Sequence, residues 1–231
     1  MQSYPPNGRE DLNQSFIPYA PQRLSETEMI KRSAAFKSTM NSRRSVRKFS
    51  NDPVSRQAVV NAIATAATAP SGANKQPWSF CLISNSKLKS EIRVLAEEEE
   101  YRSYHGRMNE QWLEDLKPLG TDHNKPFLED APYVIVVFKK VFTKEGETRK
   151  QNYYVNESVG IATGMLLSAL HCAGLSTLTH TPSPMNFLCK ILGRPENEKP
   201  YLVIPVGFAH KENLAPNIQK KPLEEVLSEY V

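Results

Sequence analysis

The chain has 231 residues, 39% hydrophobic and 23% charged, with a formal net charge of +4. This composition supports one sizeable core and excludes a fibrous, disordered or membrane-filling protein. Lys and Arg are spread along the chain, which argues against a general nucleic-acid binder and leaves anionic small ligands open. Residues 1–25 read as a polar arm rich in Pro, Gln, Asn and Ser, without the apolar run of a signal peptide or membrane anchor. The expectation is a soluble, cytoplasmic protein with neither membrane nor nucleic-acid partners. Cys81, Cys172 and Cys189 show no paired spacing. Cys81 and Cys172 have apolar neighbours and read as buried thiols, with no metal site and no disulfide framework.

Residues 26–231 read as a single domain. Glu26 to Asn41 predicts a helix capped by Ser25, with Met29, Ile30, Ala34 and Met40 as its apolar stripe. A short extended link follows, Arg43-Arg44-Ser45-Val46-Arg47. Guanidinium groups suit phosphate because their planar fork offers paired donors and stays charged. A second helix from about Ser55, burying Val59, Val60, Ile63, Ala66 and Ala67, stops at Pro70. The run Pro70-Ser71-Gly72-Ala73-Asn74-Lys75-Gln76-Pro77-Trp78 then leaves backbone N–H groups free beside an aromatic ring. Either run alone reads better as a solvated basic turn or a helix-ending loop. Together they read as a phosphate clamp and a backbone cradle for a flat ligand.

Ser79 to Ile83 predicts a strand, and Lys87 to about Arg107 a helix whose Glu97, Glu98 and Glu99 form a solvated acidic face. A loop carrying Trp112 and Lys125 comes next. Tyr133 to Phe138 is apolar on both faces and therefore a central strand. After a charged loop, Thr143 to Lys150, Asn156 to Ala173 predicts the most apolar helix, closed at Gly174. Asn156, Glu157, Ser168 and His171 interrupt it too often for a bilayer span, while Gly160 and Gly164 permit close backbone approach. Thr177 to Thr179 and Tyr201 to Val206 complete the strands, and the tail from Lys220 is amphipathic. Strands separated by helices predict a sheet covered on both faces.

Glu100 and Tyr104 stand four residues apart and share one helix face, with Lys125 following in the loop. A carboxylate, a phenol and an ammonium complement a free amino acid. Glu100 would take its ammonium, and Tyr104 and Lys125 its carboxylate. Thr179-His180-Thr181-Pro182 follows a short strand; alone it reads as an ST-turn with a structural His180.

The arginine run followed by the Pro70–Trp78 run resembles the FMN-dependent nitroreductase superfamily. Glu100, Tyr104 and Lys125, with Arg107-Met108 and Trp112, resemble its iodotyrosine deiodinase branch, and the likeness runs from about Phe16 to the C-terminus. The resemblance implies an α+β fold: a three-layer α/β/α sandwich around a mixed, mainly antiparallel sheet, arms at both termini, and an intertwined homodimer sharing each FMN. It places Arg43, Arg44, Ser45, Val46 and Arg47 at the FMN phosphate. Lys220 completes the clamp, keeping the charge but not the fork of the arginine more usual there. It brings Pro70, Ser71 and Gly72 to the flavin ring from the partner subunit, and sets Thr179, His180 and Thr181 beside it. The Thr181 hydroxyl would reach flavin N5, which favours one-electron steps over hydride transfer. The Ala73 N–H would hold a substrate phenolate as an oxyanion hole does, beneath a lid spanning about 97–126.

The implied activity is reductive dehalogenation of halogenated tyrosine to tyrosine and halide, with electrons from an electron-donating reductase or NAD(P)H; the sequence itself shows no nicotinamide site. Two alternatives stand beside it. One is a general NAD(P)H-dependent nitro- or quinone reductase, against which Glu100, Tyr104 and Lys125 speak. The other is a non-catalytic anion or nucleic-acid binder built on the arginines.

Overall fold

The computed structural model describes residues 17–231, so most of the polar arm lies outside the described residues. Residues up to Asn41 form one compact unit and Ser42–Val231 a second. The first contains α1 (Glu26–Asn41), with the bounds expected from the sequence. Ser25 Oγ accepts from the Glu28 N–H at 3.3 Å, and Glu28 pairs with Arg32 one turn on at 2.6 Å. Its apolar stripe is not buried: Met29 and Ile30 are 51% and 61% exposed.

The second unit is built on β1 (Trp78–Ile83), β2 (Tyr133–Lys140), β5 (Ser176–Thr177) and β6 (Glu198–Gly207), an antiparallel sheet in the order β1-β2-β6-β5. The remaining strands, β3 (Phe142–Glu145) and β4 (Thr148–Gln151), form a separate hairpin where a charged loop was expected. Gly146, at φ +61°, supplies the left-handed residue that this turn requires. Ser45 makes an isolated parallel bridge to Thr177, so the arginine segment runs beside β5 and gives the sheet its mixed character.

The helices of this unit are α2 (Arg56–Ala67), α3 (Ser86–Arg102), α4 (Glu110–Leu116), α5 (Phe127–Asp130), α6 (Val155–Cys172) and α7 (Asn186–Ile191). Side chains alternate across a strand, and β2 shows why both faces of the sheet must be covered. Val134, Val136 and Phe138 enter a core with Ile92 and Ala96 of α3, Phe127 and Leu128 of α5, and Leu188 of α7. Ile135 and Val137 enter a second core with Val59, Ala62 and Ala66 of α2 and Val159, Ala162 and Leu166 of α6. All five β2 side chains are fully buried, each stabilising the fold by roughly 1.5–3 kcal/mol.

Several local expectations change. The helix expected to reach Arg107 stops at Arg102 and widens into a π-turn over Ser103–Arg107, closed by the Met108 N–H donating to the Ser103 carbonyl at 2.9 Å. The expected loop around Trp112 contains α4, capped by Asn109, whose Oδ1 accepts from the Trp112 N–H at 2.8 Å. On α6, a Cβ on Gly160 would lie 3.3 Å from the Tyr201 hydroxyl, whereas Gly164 faces open space. Cys172 is exposed at the end of α6 rather than buried, and Cys81 is half-buried in β1. Strand β5 ends at Thr177, because His180 pairs separately with Val203 and lets Leu178 and Thr179 turn away from the ladder. No described helix is long and apolar enough to cross a membrane.

Candidate active site

A cavity of about 180 Å³ forms where the end of α3, the segment after α4 and the Thr179–Thr181 loop meet. Its walls bring together Arg47, Glu100, Tyr104, Lys125, Thr179, His180 and Thr181, residues from four separate stretches of sequence. A wider apolar groove of about 680 Å³ between α3 and α7 contains none of the candidate residues.

Glu100 lies on the buried side of α3, and Lys125 Nζ stands 3.3 Å from its Oε2, with side-chain exposures of 10% and 4%. Lys125 Nζ also donates to Thr121 Oγ1 at 3.3 Å and to the Asp122 carbonyl. The Tyr104 hydroxyl donates to the Thr121 carbonyl at 3.1 Å, and Lys125 Nζ lies 5.5 Å from the Tyr104 ring centre. Burial pushes the Glu100 carboxyl upward, and the Lys125 ammonium opposes that shift. Burial also raises the Tyr104 phenol, which therefore remains a protonated donor. Three groups suited to a zwitterion thus meet in one place, Glu100 and Lys125 pairing with each other and Tyr104 held by the Thr121 carbonyl.

Sequence reasoning missed Thr121, which holds both Tyr104 and Lys125, and the cavity-lining Leu116 and Phe127. It also misjudged the acidic face. Glu97 Oε1 accepts from the Lys125 backbone N–H at 2.6 Å and pairs with Arg93 at 2.7 Å, while Glu99 pairs with Arg102 and Arg107 at 2.8 and 2.6 Å. Glu98 is the exposed member of the run. The i,i+4 spacing of Arg93 and Glu97 was the signal that could have shown this.

The Val46 N–H donates to the Thr177 carbonyl at 3.0 Å and its side chain is buried, so only its main chain is left to face a ligand. Fixing Val46 orients the arginines on either side. Arg43 and Arg47 are half-buried, while Arg44 is exposed and donates to the Pro216 carbonyl. Burial draws the Arg47 guanidinium below its ordinary value, and it remains a cation. Lys220 lies four residues beyond Pro216 on the exposed C-terminal segment and does not line the cavity.

The Pro70–Gly72 stretch and Ala73 also lie outside this cavity. Ala73, Asn74 and Gln76 all have left-handed backbone, at φ 48°, 53° and 46°. Such conformations are costly for non-glycine residues and persist only where the surroundings enforce them. Bonds from the Asn74 N–H to the Ser71 carbonyl (3.0 Å) and from the Gln76 N–H to Ser71 Oγ (2.9 Å) hold the turn. The exposed Ala73 N–H takes part in neither. A Cβ on Gly72 would fall 2.8 Å from Tyr154 Cδ2, so only glycine allows this approach.

The hydroxyls of Thr179 and Thr181 lack hydrogen-bond partners among the described residues, and both residues are exposed. His180 is pinned by reciprocal 2.9 Å backbone bonds with Val203 and packs edge-on against Phe127. Its Nε2 is sealed from solvent without a partner among the described residues. Burial, followed by the cations Lys125 and Arg47, pushes its pKa down to about 3 from 6.5. The unfolded chain therefore takes up a proton below pH 6.5 that the folded chain refuses until about pH 3, and stability falls as pH drops through that window. Glu100 acts in the opposite sense, because its raised pKa lets the folded chain bind a proton first. His180→Leu is accordingly expected to flatten the loss of urea stability between pH 6.5 and 4.5 relative to the wild type. An unchanged slope would show that the ring is protonated in the fold.

The sequence pattern of the Nitroreductase family matches residues 40–208. The iodotyrosine deiodinase of Haliscomenobacter hydrossis is 52% identical over 94% of this chain and 98% of its own length. Human iodotyrosine deiodinase 1 is 42% identical over 93% of this chain and 75% of its own. Among solved structures, oxidised iodotyrosine deiodinase bound to FMN and 3-iodo-L-tyrosine superimposes with a TM-score of 0.71 at 29% identity, covering 85% of this chain and 98% of that one. With the family pattern spanning both the arginine segment and the threonine loop, this chain belongs to the nitroreductase family, in its iodotyrosine deiodinase branch.

Proposed function

We propose that this protein is an FMN-dependent enzyme that reductively removes halogen from halogenated tyrosine, working as a homodimer with FMN at the subunit interface. The observation that carries the reading is the meeting of Glu100, Tyr104 and Lys125 in one cavity with Arg47 and the Thr179–Thr181 loop. A general nitroreductase has no need of a buried set matched to an amino acid's two charges.

The residues present fit FMN. Arg43, Arg44 and Arg47 offer forked donors to a phosphate dianion, Ser45 adds a hydroxyl, and Lys220 adds charge from the tail. The Gly72 turn packs too closely on Tyr154 to carry a side chain, which leaves the exposed Ala73 main chain to meet a flat ring. One chain leaves Pro70–Ala73 outside the cavity that holds Arg47 and Thr181, which suits a site completed by the same turn of a second copy. When bound and reduced, FMN supplies the two electrons that, with a proton, replace a carbon–halogen bond by carbon–hydrogen and release halide. A reduced nicotinamide, through a reductase, is the source of those electrons.

The protein's own groups do the rest. Glu100 receives the substrate ammonium, while Lys125 and Tyr104 turn from their internal partners to its carboxylate. The exchange replaces one buried ion pair by two, so the charges of an empty site become a grip on the ligand. The Ala73 N–H holds the phenolate, and the Thr181 hydroxyl is free for the cofactor. Closing residues 97–126 over the substrate excludes water and strengthens each ionic contact. Titrating the yellow, oxidised protein with 3-iodotyrosine should change flavin fluorescence to saturation. No response to iodotyrosine, with turnover of nitroaromatics intact, would make the protein a general nitroreductase instead.

A further inference from the structure

Outside the cavity lining, a second set of contacts joins the lid to the threonine loop. Arg107 Nη1 lies 2.6 Å from Glu99 Oε2 and donates to the Ser183 carbonyl at 3.2 Å. Ser103 Oγ reaches the same carbonyl at 3.5 Å and donates to the Glu99 carbonyl at 2.9 Å. The Ser183 carbonyl thus accepts from Arg107 and faces the π-turn that ends the lid helix. Ser183 stands between Pro182 and Pro184, and Thr181 comes just before them. Proline has no N–H to donate, so the stretch after Thr181 has few other backbone tethers and depends on this carbonyl for its position.

We infer that Arg107, held by Glu99, is a positioning residue that couples lid closure to the placement of the Thr179–Thr181 loop. The inference rests on the proposed function. Glu99 and Glu100 are consecutive on α3: one carboxylate lines the substrate cavity, and the other fixes the latch. A ligand that draws Glu100 inward therefore also sets Glu99, Arg107 and the Ser183 carbonyl, and with them the threonine hydroxyls. An isolated surface ion pair at a residue 44% exposed would contribute little. Here the guanidinium bridges a carboxylate that is 16% exposed to a backbone carbonyl of another element. The π-turn, a geometry frequent at functional sites, sets the reach of Arg107.

The test uses flavin-loaded protein and the variants Arg107→Ala and Arg107→Lys. Arg107→Ala should weaken 3-iodotyrosine binding about tenfold, the loss of one charge-assisted bond, and 2-iodophenol binding by less than about twofold. Arg107→Lys should recover part of that loss. Without any ligand, amide hydrogen exchange in Arg107→Ala should quicken at 103–108 and at 179–181 together. Quickening at 103–108 alone overturns the coupling, as does equal weakening of the two ligands. If the wild type itself ignores iodotyrosine, the proposed function fails, and the exchange comparison still decides the latch.

Discussion

Glu100→Gln is expected to weaken binding of 3-iodotyrosine by roughly a hundred- to a thousandfold, because breaking one partner out of a buried ion pair typically costs about 3–5 kcal/mol. The glutamine keeps the shape of the side chain and removes the charge that would meet the substrate ammonium. It also leaves Lys125, 4% exposed, without its carboxylate partner. Lys125 still has Thr121 Oγ1 and the Asp122 carbonyl, so the lid should fold. The contrast with 2-iodophenol isolates the cause. That ligand has the ring, the halogen and the phenol but no ammonium, and its binding should change little. Equal losses for both ligands would mean that Glu100 maintains the cavity rather than gripping the amino acid.

Arg44→Ala is expected to purify with little or no flavin. Hydrogen bonds to charged groups contribute about 1.5–3 kcal/mol each, so losing a forked phosphate donor corresponds to roughly a ten- to hundredfold loss of cofactor affinity. A second loss accompanies it. Arg44 also donates to the Pro216 carbonyl, and that bond ties the C-terminal segment carrying Lys220 to the arginine cluster. Without the tether, Lys220 would be less well placed to act, and two cations would leave the clamp together. Arg44→Lys keeps the charge and gives up the fork, so an intermediate flavin content should result. The ratio of flavin to protein absorbance after purification checks the series; a full complement of FMN in Arg44→Ala would remove the residue from the clamp.

Much of this architecture was legible in the order of the residues. Tyr133–Phe138, apolar at every position, could only be a strand buried on both faces. Glu100 and Tyr104, one turn apart on a helix, had to share a face. What escaped depended on contacts between segments far apart in sequence. The widening at Ser103–Arg107 is set by bonds to Ser183, nearly eighty residues on, and helical periodicity does not foresee it. The same blindness made Glu97 and Glu99 look like solvated charges. Their partners include the Lys125 N–H and Arg107, which no local spacing places beside them. The hairpin of β3 and β4 was hidden because its strands are short, charged and largely exposed, lacking the alternation that marks a half-buried strand. His180 was read as structural from its own neighbours and as a flavin neighbour through the resemblance. Its sealed Nε2 and lowered pKa follow from Phe127, Lys125 and Arg47, which the fold alone gathers around it.

Product analysis under anaerobic conditions is the most direct test of the central claim. Protein reduced with dithionite and mixed with 3-iodotyrosine should yield tyrosine and iodide in equal amounts, one of each for every flavin reoxidised. Flavin that stays reduced beside intact iodotyrosine, with neither tyrosine nor iodide appearing, would contradict the account.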